Sequence, residues 1–145
     1  MSLRELYQEM ILDHGKTPRN VGVLQQASHC HAGYNPLCGD KLTIYLAAKN
    51  GVVEDVKFEG AGCAISVASA SLMTESVKGK TITEIETLFT GFHDLVTTGN
   101  TNMELGKLDI FSGVAEFPIR VKCATLAWHT MKAALGNETK TASTE

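Results

Sequence analysis

The chain lacks both a run of basic residues and a long hydrophobic run. Its 145 residues carry 13 basic and 16 acidic side chains, for a formal net charge of −3. This balance gives no electrostatic footprint for a nucleic acid or an anionic membrane. No apolar stretch approaches the roughly 20 residues that are needed to span a bilayer. We therefore expect a globular protein with no nucleic acid and no membrane partner.

The first residues lack the features of a targeting segment. Glu5 and Glu9 place acid too early for a signal or transit peptide, so we expect a cytoplasmic location. In that reducing compartment, four cysteines are better interpreted as metal ligands or nucleophiles than as disulfides. A chain of this length buries a core without the help of a metal, so a bound metal would serve chemistry.

Residues 29–60 predict a small antiparallel sheet. Apolar and polar residues alternate on both sides of the Asn50-Gly51 pair, which suits a two-residue type I′ hairpin turn. Residues 29–34 add a third strand. Within that strand the two histidines of the His29-Cys30-His31 run face one way and the cysteine the other, which favours an ordinary strand over a metal cluster.

Apolar residues at helical spacing predict helices before and after this sheet, each ended by a glycine. The predicted helices cover residues 3–15, 64–79, 81–91 and 118–136, and the last has Cys123 in its first turn. Only short helical stretches are expected within 92–117. The whole is predicted to be one α+β domain over 1–136, with a three-stranded antiparallel sheet and helices packed mainly on one face. The polar tail over 137–145 is expected to be disordered.

Three of the four cysteines lie in short runs that glycine or proline punctuates. They are Cys38 within NPLCGD (35–40), Cys63 within GAGCAIS (60–66) and Cys123 within RVKCA (120–124). Loops and element ends of this kind present side chains to a common site. Three thiolates and the carboxylate of Asp40 suffice for one tetrahedral metal site.

The charges around this set predict how the site works. Zinc held by three thiolates and a carboxylate carries a formal −2, which Arg120 and Lys122 are placed to offset. A carboxylate is the poorest match to a soft, thiolate-rich site, so Asp40 is the ligand expected to exchange. Cys63 and Cys123 are both expected to gain thiolate character from the start of a helix. Buried structural thiols and a purely structural zinc site stay open as simpler interpretations.

Taken together, the three cysteine runs resemble the U-type iron–sulfur cluster assembly family, which includes IscU and the N-terminal part of NifU. The resemblance extends from about Leu3 to Gly136. Lys122 stands where IscU has a histidine, and the segment between Cys63 and Cys123 is longer than in IscU. Both departures are similar to the SufU branch. The chaperone-recognition motif of IscU is missing as such, which argues against an Hsp70-type partner.

This resemblance implies an IscU-like α+β fold and a zinc protein that accepts persulfide sulfur from a SufS-like cysteine desulfurase. It implies that Cys38 attacks the persulfide, that Asp40, Cys63 and Cys123 complete the zinc site, and that Arg120 helps to open the site against the partner. Downstream iron–sulfur assembly proteins would receive the product. The alternatives are a scaffold that assembles a [2Fe–2S] cluster on the same ligands, and a zinc-stabilised interaction module without covalent chemistry.

Overall fold

The structure, a computed structural model, describes residues 2–136 and the backbone of 142–143. Its elements in chain order are α1 (Leu3–Lys16), β1 (His29–Asn35), β2 (Asp40–Lys49), β3 (Val52–Ala61), α2 (Ala64–Val77), α3 (Ile82–Thr98), a 3₁₀ helix (Gly106–Glu116), α4 (Pro118–Leu135) and β4 (Ala142–Ser143). Within the described residues, no helix is both long and apolar enough to cross a bilayer.

Strands β1, β2 and β3 form an antiparallel meander, as predicted. The β2–β3 turn is the Asn50-Gly51 pair, and both residues have positive φ (54° and 78°), as a type I′ turn requires. In the β1–β2 register, His29 pairs with Leu46 at one end and Asn35 with Asp40 at the other. Cys38 therefore lies in the tight turn that joins β1 to β2.

The inner face of the sheet carries the helices. Leu42, Ile44 and Leu46 of β2 are each at most 2% exposed and join Phe58 of β3 in the core. The opposite face carries the polar and small side chains, in the alternation that a sheet with one wet face shows. The predicted α+β class, with helices on one side, is confirmed.

The sheet has one addition that the sequence pattern does not predict. Ala142–Ser143 forms a two-residue strand, β4, that pairs parallel with Gly33 and Tyr34 of β1. The strand order is therefore β3-β2-β1-β4. The disordered tail predicted over 137–145 is wrong for these two residues, because their backbone groups pair with the free edge of β1. The rest of the predicted tail, 137–141 and 144–145, lies outside the described residues.

Helix α3 is longer than predicted. Its start is a capping box, as the sequence indicates, in which Thr81 and Glu84 exchange side-chain and backbone hydrogen bonds. The predicted end at Gly91 is wrong, because Gly91 is a buried helical residue against which Met103 packs. The helix ends instead at Gly99, whose φ of 83° is typical of a left-handed C-terminal cap.

Helix α4 is the central helix of the core. Trp128 is fully buried, stacks on Phe92 of α3 with ring centroids 4.5 Å apart, and donates its indole N–H to Ser69 Oγ of α2 at 3.1 Å. The helix begins at Pro118, as predicted, so Cys123 is its sixth residue and lies in the second turn. The expectation that Cys123 lies in the first turn is therefore wrong.

Gly33 lets α4 approach β1 closely. A Cβ at this position would collide with Thr130 Oγ1 and lie 3.2 Å from Leu126 Cδ1, both on α4. We expect Gly33→Ala to lower the free energy of unfolding by about 1–3 kcal/mol, since the helix must move away from the strand. Urea unfolding followed by circular dichroism measures the change.

Gly113→Ala is the matched control, because a Cβ there would meet nothing within 4 Å. Its effect is expected to stay within about 0.5 kcal/mol of the wild type. Equal effects of the two substitutions would contradict the close packing of α4 on β1.

Candidate metal centre

Three segments that are distant in sequence meet at the end of the sheet where β2 begins. Cys38 lies in the β1–β2 turn, Asp40 is the first residue of β2, and Cys123 projects from α4. Their ligand atoms all lie within 4.8 Å of one another. The Cys123 thiol donates to Cys38 Sγ at 3.1 Å. Three of the four predicted metal ligands therefore form one tight group.

Asp40 is the fixed point of this group. It is fully buried, and each carboxylate oxygen accepts a hydrogen bond. Oδ1 accepts from the backbone N–H of Cys63 at 2.8 Å, and Oδ2 accepts from the side-chain amide of Asn35 at 3.2 Å. A buried carboxylate is tolerated only when it is paired in this way. Asp40 thus ties the first residue of β2 to the start of α2.

Asn35 is a site residue that the sequence analysis missed. It is fully buried, and its amide nitrogen lies 3.5 Å from Cys123 Sγ as well as next to Asp40. Its own side-chain oxygen accepts from the backbone N–H of Leu37 at 3.3 Å. This contact shapes the turn that carries Cys38. The asparagine before Pro36 was an available signal, because Asn side chains commonly organise turns two residues ahead.

Gly62 makes room for the carboxylate. A Cβ at this position would lie 2.5 Å from Asp40 Oδ1 and 3.0 Å from its Cγ. Only a glycine allows the backbone that leads into Cys63 to pass so close to Asp40. The GAGC run therefore serves the site as a close backbone approach.

Cys63 directly precedes α2, as predicted. It is the N-cap of that helix, and its Sγ accepts from the backbone N–H of Ser66 at 3.4 Å. It is not one of the three mutually close ligands. Its thiol is nevertheless near enough to Cys123 to contribute to the raised pKa of that residue. The fourth predicted ligand therefore lies at the margin of the group.

Burial raises the pKa of the Cys123 thiol, and the hydrogen bond with Cys38 and the neighbouring Cys63 raise it further. The predicted thiolate character of Cys123 is wrong for the protein without a metal. The reason is that the residue lies in the second turn of α4, beyond the reach of the helix N-terminus, and in a fully buried position.

Arg120 supplies the positive charge that the sequence predicts. Its pKa is raised by a hydrogen bond to Cys123 and by the nearby charges of Cys63 and Cys123. The guanidinium therefore reaches the thiols from the first turn of α4. Lys122, the second predicted cation, makes no ion pair in the part of the chain that the structure describes.

Cys30 takes no part in this group. It is exposed on the outer face of β1, while His31 is buried on the inner face. The prediction that 29–31 is ordinary strand is confirmed.

The residues present fit a soft divalent cation. Three thiols and a carboxylate are a donor set that suits zinc or iron. The Asn35 amide donates to Cys123 Sγ from outside the set, and the Arg120 guanidinium lies close enough to the thiols to have its pKa raised by them. Protein metal sites use outer groups of this kind to orient their ligands. Exposed apolar side chains stand nearby in sequence, namely Leu37, Phe117 and Ile119. The chain is thus an α+β protein with a cluster of thiols and a carboxylate, of a composition suited to a metal ion, at the end of its sheet.

Comparison with known proteins agrees with this class. The family model described as the NifU-like N-terminal domain matches residues 6–143. The zinc-dependent sulfurtransferase SufU of Bacillus subtilis is 40% identical over 139 residues, covering 94% of each chain. The iron–sulfur cluster assembly scaffold protein IscU of Thermotoga maritima is 41% identical over 138 residues, covering 93% of this chain and 96% of its own. The chain belongs to the NifU-like N-terminal domain family.

Solved structures support the same conclusion for the fold. The crystal structure of FiSufU from Fervidobacterium islandicum AW-1 superposes with a TM-score of 0.83 at 34% identity. The alignment covers 92% of this chain and 99% of that chain. The predicted IscU/SufU-like architecture is therefore confirmed.

The purified protein is expected to hold about one zinc per chain, because four ligands of this kind close one tetrahedral site. Replacing Cys38, Cys63 or Cys123 by serine should lower the occupancy markedly, whereas Cys30→Ser should leave it unchanged. Elemental analysis after gentle purification measures the ratio. Metal-free wild-type protein, or full zinc in all three site variants, would contradict the ligand assignment.

Asp40 is expected to stabilise the fold as well as to serve as an exchangeable ligand. Asp40→Ala leaves the Cys63 N–H and the Asn35 amide without their acceptor, and we expect a loss of about 1–3 kcal/mol in the free energy of unfolding. Asp40→Asn keeps one oxygen as an acceptor and should lose less. Denaturant unfolding with a chelator present separates this effect from metal loss. Two variants as stable as the wild type would show that Asp40 has no such anchoring role.

Proposed function

We propose that this protein is a zinc-binding sulfur acceptor in iron–sulfur cluster assembly, which receives persulfide sulfur on Cys38 from a cysteine desulfurase. The observation that carries this proposal is the difference between the thiols. Cys123 is buried within a helix, and Cys63 is held as a helix N-cap whose N–H is bound by Asp40. Cys38 is half-buried on a short turn, beside Gly39, which has a φ of 72° and open space around it.

Such a turn is able to present Cys38 to a partner while the other two thiols stay in place. Zinc, when bound, would keep Cys38 as a thiolate at neutral pH while lowering its nucleophilicity. The residues proposed to hold it are Cys38, Asp40, Cys63 and Cys123. The zinc-dependent sulfurtransferase of Bacillus subtilis, at 40% identity over nearly the whole chain, supports this function.

The transfer step balances without any further reactant. The Cys38 thiolate attacks the outer sulfur of the desulfurase persulfide, and a new S–S bond forms on Cys38. The S–S bond of the desulfurase breaks, and its cysteine leaves with the electron pair as a thiolate. Arg120 is proposed to stabilise the Cys38 thiolate when partner docking uncovers it, since a planar guanidinium donates in a fixed fork.

Asp40 is suited to exchange because both of its oxygens accept hydrogen bonds from the protein. The Cys63 N–H and the Asn35 amide both donate to it already. A carboxylate that leaves a metal therefore keeps hydrogen-bond donors, which lowers the cost of its burial. This arrangement supports the proposal that Asp40 is the ligand that yields during partner binding.

The desulfurase is proposed to dock on the exposed apolar residues next to the reacting groups. Leu37 precedes Cys38 and is 59% exposed, and Ile119 precedes Arg120 and is 60% exposed. Apolar side chains of this exposure around a reactive thiol are typical of a protein interaction site. Downstream iron–sulfur assembly proteins would then take the sulfur from the same surface.

A scaffold for a [2Fe–2S] cluster is the second candidate, supported by the IscU scaffold of Thermotoga maritima at 41% identity. The same three cysteines would bind the cluster irons. Persulfide transfer measured together with zinc, iron and sulfide content in one preparation separates the candidates. Sulfur uptake by the zinc protein supports the acceptor. Sulfur uptake only by protein that holds iron supports the scaffold. Bound zinc without any sulfur uptake supports a zinc-stabilised interaction module.

Arg120 tests the acceptor mechanism. Arg120→Ala is expected to fold, keep zinc and bind the desulfurase, but to accept sulfur on the order of 10²-fold more slowly, as for the loss of one preorganised charged donor. Arg120→Lys should recover little of the rate, because the forked donor is still missing. Single-turnover persulfide transfer, with zinc content measured alongside, gives the comparison.

Lys49→Ala removes one positive charge at the β2–β3 turn, away from the thiols, and serves as the control. It should transfer sulfur at the wild-type rate. Undiminished transfer by a zinc-loaded Arg120→Ala protein would remove Arg120 from the mechanism.

A further inference from the structure

Ser66 carries a buried hydroxyl next to the thiol group that takes no part in the hydrogen bonds of that group. Its residue is fully buried, and its Oγ has no hydrogen-bond partner among the described residues. The other buried hydroxyls of α2, those of Ser69, Ser71 and Thr74, are all paired. Native proteins rarely leave a buried hydroxyl unpaired, so this exception calls for a functional explanation.

The two local partners that a serine at this position has are not used. Ser66 is the third residue of α2, the position from which a Glu or Gln side chain accepts from the backbone N–H of the N-cap residue in a capping box. The N-cap is Cys63, and its N–H already donates to Asp40 Oδ1. The other local choice is the carbonyl four residues earlier. Ser76 of the same helix makes that bond, to Leu72, but Ser66 does not.

Ser66 lies next to the thiol group, since its backbone N–H donates to Cys63 Sγ at 3.4 Å. Helical Cα–Cβ bonds lean toward the helix N-terminus, so the Ser66 side chain lies over the turn that Cys63 opens. Ser69 is one turn further along the same side of α2, and it donates to the carbonyl of Ala124, the residue after Cys123. That side of α2 therefore faces α4 beside Cys123.

The thiol group has a use for another donor. Deprotonation of its sulfurs concentrates negative charge next to Asp40. The Asn35 amide and the Ser66 backbone N–H donate to these sulfurs, and the positive charge of Arg120 lies nearby. Hydrogen bonds to charged acceptors are about twice as strong as neutral ones. An unpaired Ser66 hydroxyl lowers the stability of the protein while the sulfurs are thiols. A hydrogen bond from this hydroxyl to a thiolate would offset that cost.

We propose that Ser66 Oγ–H is a hydrogen-bond donor to the Cys63 sulfur once that sulfur is deprotonated to hold a metal. This inference rests on the proposed metal site and adds a residue that orients one of its ligands. It predicts opposite effects of one substitution in the two states of the protein. Removing the hydroxyl relieves the metal-free protein of an unpaired group and deprives the metal-bound protein of a donor.

Ser66→Ala and Ser69→Ala form a matched pair for the experiment, because each removes one buried serine hydroxyl and the two positions lie one turn apart on α2. In metal-free protein, Ser66→Ala should keep or raise the melting temperature, by at most about 2–6 °C. Its zinc affinity, measured by competition with a chromophoric chelator, should fall about 10-fold. Ser69→Ala should lower the melting temperature, since it leaves the Trp128 N–H unpaired, and should bind zinc nearly as the wild type does.

Cobalt substitution gives a readout that a structural role would not move. Loss of a hydrogen bond raises the energy of the thiolate lone pairs, so the sulfur-to-cobalt charge-transfer band of Ser66→Ala should shift to longer wavelength. Unchanged zinc affinity and an unchanged band would overturn the proposal for Ser66 alone. A lower melting temperature of the metal-free variant would also overturn it, because the hydroxyl would then have a partner there. Wild-type protein that binds neither metal would overturn the metal site as well.

Discussion

The hydrogen bond between the Asp40 carboxylate and the Cys63 backbone N–H is the contact on which the rest of the site depends. It joins the first residue of β2 to the N-cap of α2. Because the carboxylate is fully buried, its second oxygen also needs a donor, and the Asn35 amide provides it. That amide in turn reaches Cys123 on α4. One buried charge therefore organises three segments of the chain around the same point.

The core holds these segments in register. Helix α4 brings Cys123 to the sheet because Gly33 allows it to lie close on β1, while Trp128 locks it against α2 and α3. The thiols thus differ in freedom: Cys123 is fixed by the core, Cys63 by a helix start, and Cys38 only by a turn. In the proposed function, this difference lets two anchored thiols hold a soft metal while the third reacts.

Many features of the fold and of the site are predictable from local sequence chemistry. The features that are not predictable depend on tertiary contacts. The Asn50-Gly51 hairpin, the capping box at Thr81 and the convergence of Cys38, Asp40 and Cys123 follow from turn residues and from motifs. The length of α3 did not, because Gly91 signals a helix end locally and serves close packing in the fold. The raised pKa of Cys123 and the unpaired hydroxyl of Ser66 depend on burial between elements, which spacing along the chain does not reveal.

In the proposed function, sulfur arrives on Cys38. The most direct test incubates the zinc-loaded protein with a cysteine desulfurase and cysteine, blocks all thiols by alkylation and locates the added sulfur by mass spectrometry of peptides. The added sulfur is expected on the peptide that contains Cys38, with Cys63 and Cys123 alkylated directly on their own sulfurs and carrying no added sulfur. Added sulfur on either of those two cysteines, or none on Cys38 despite an active desulfurase, would contradict it.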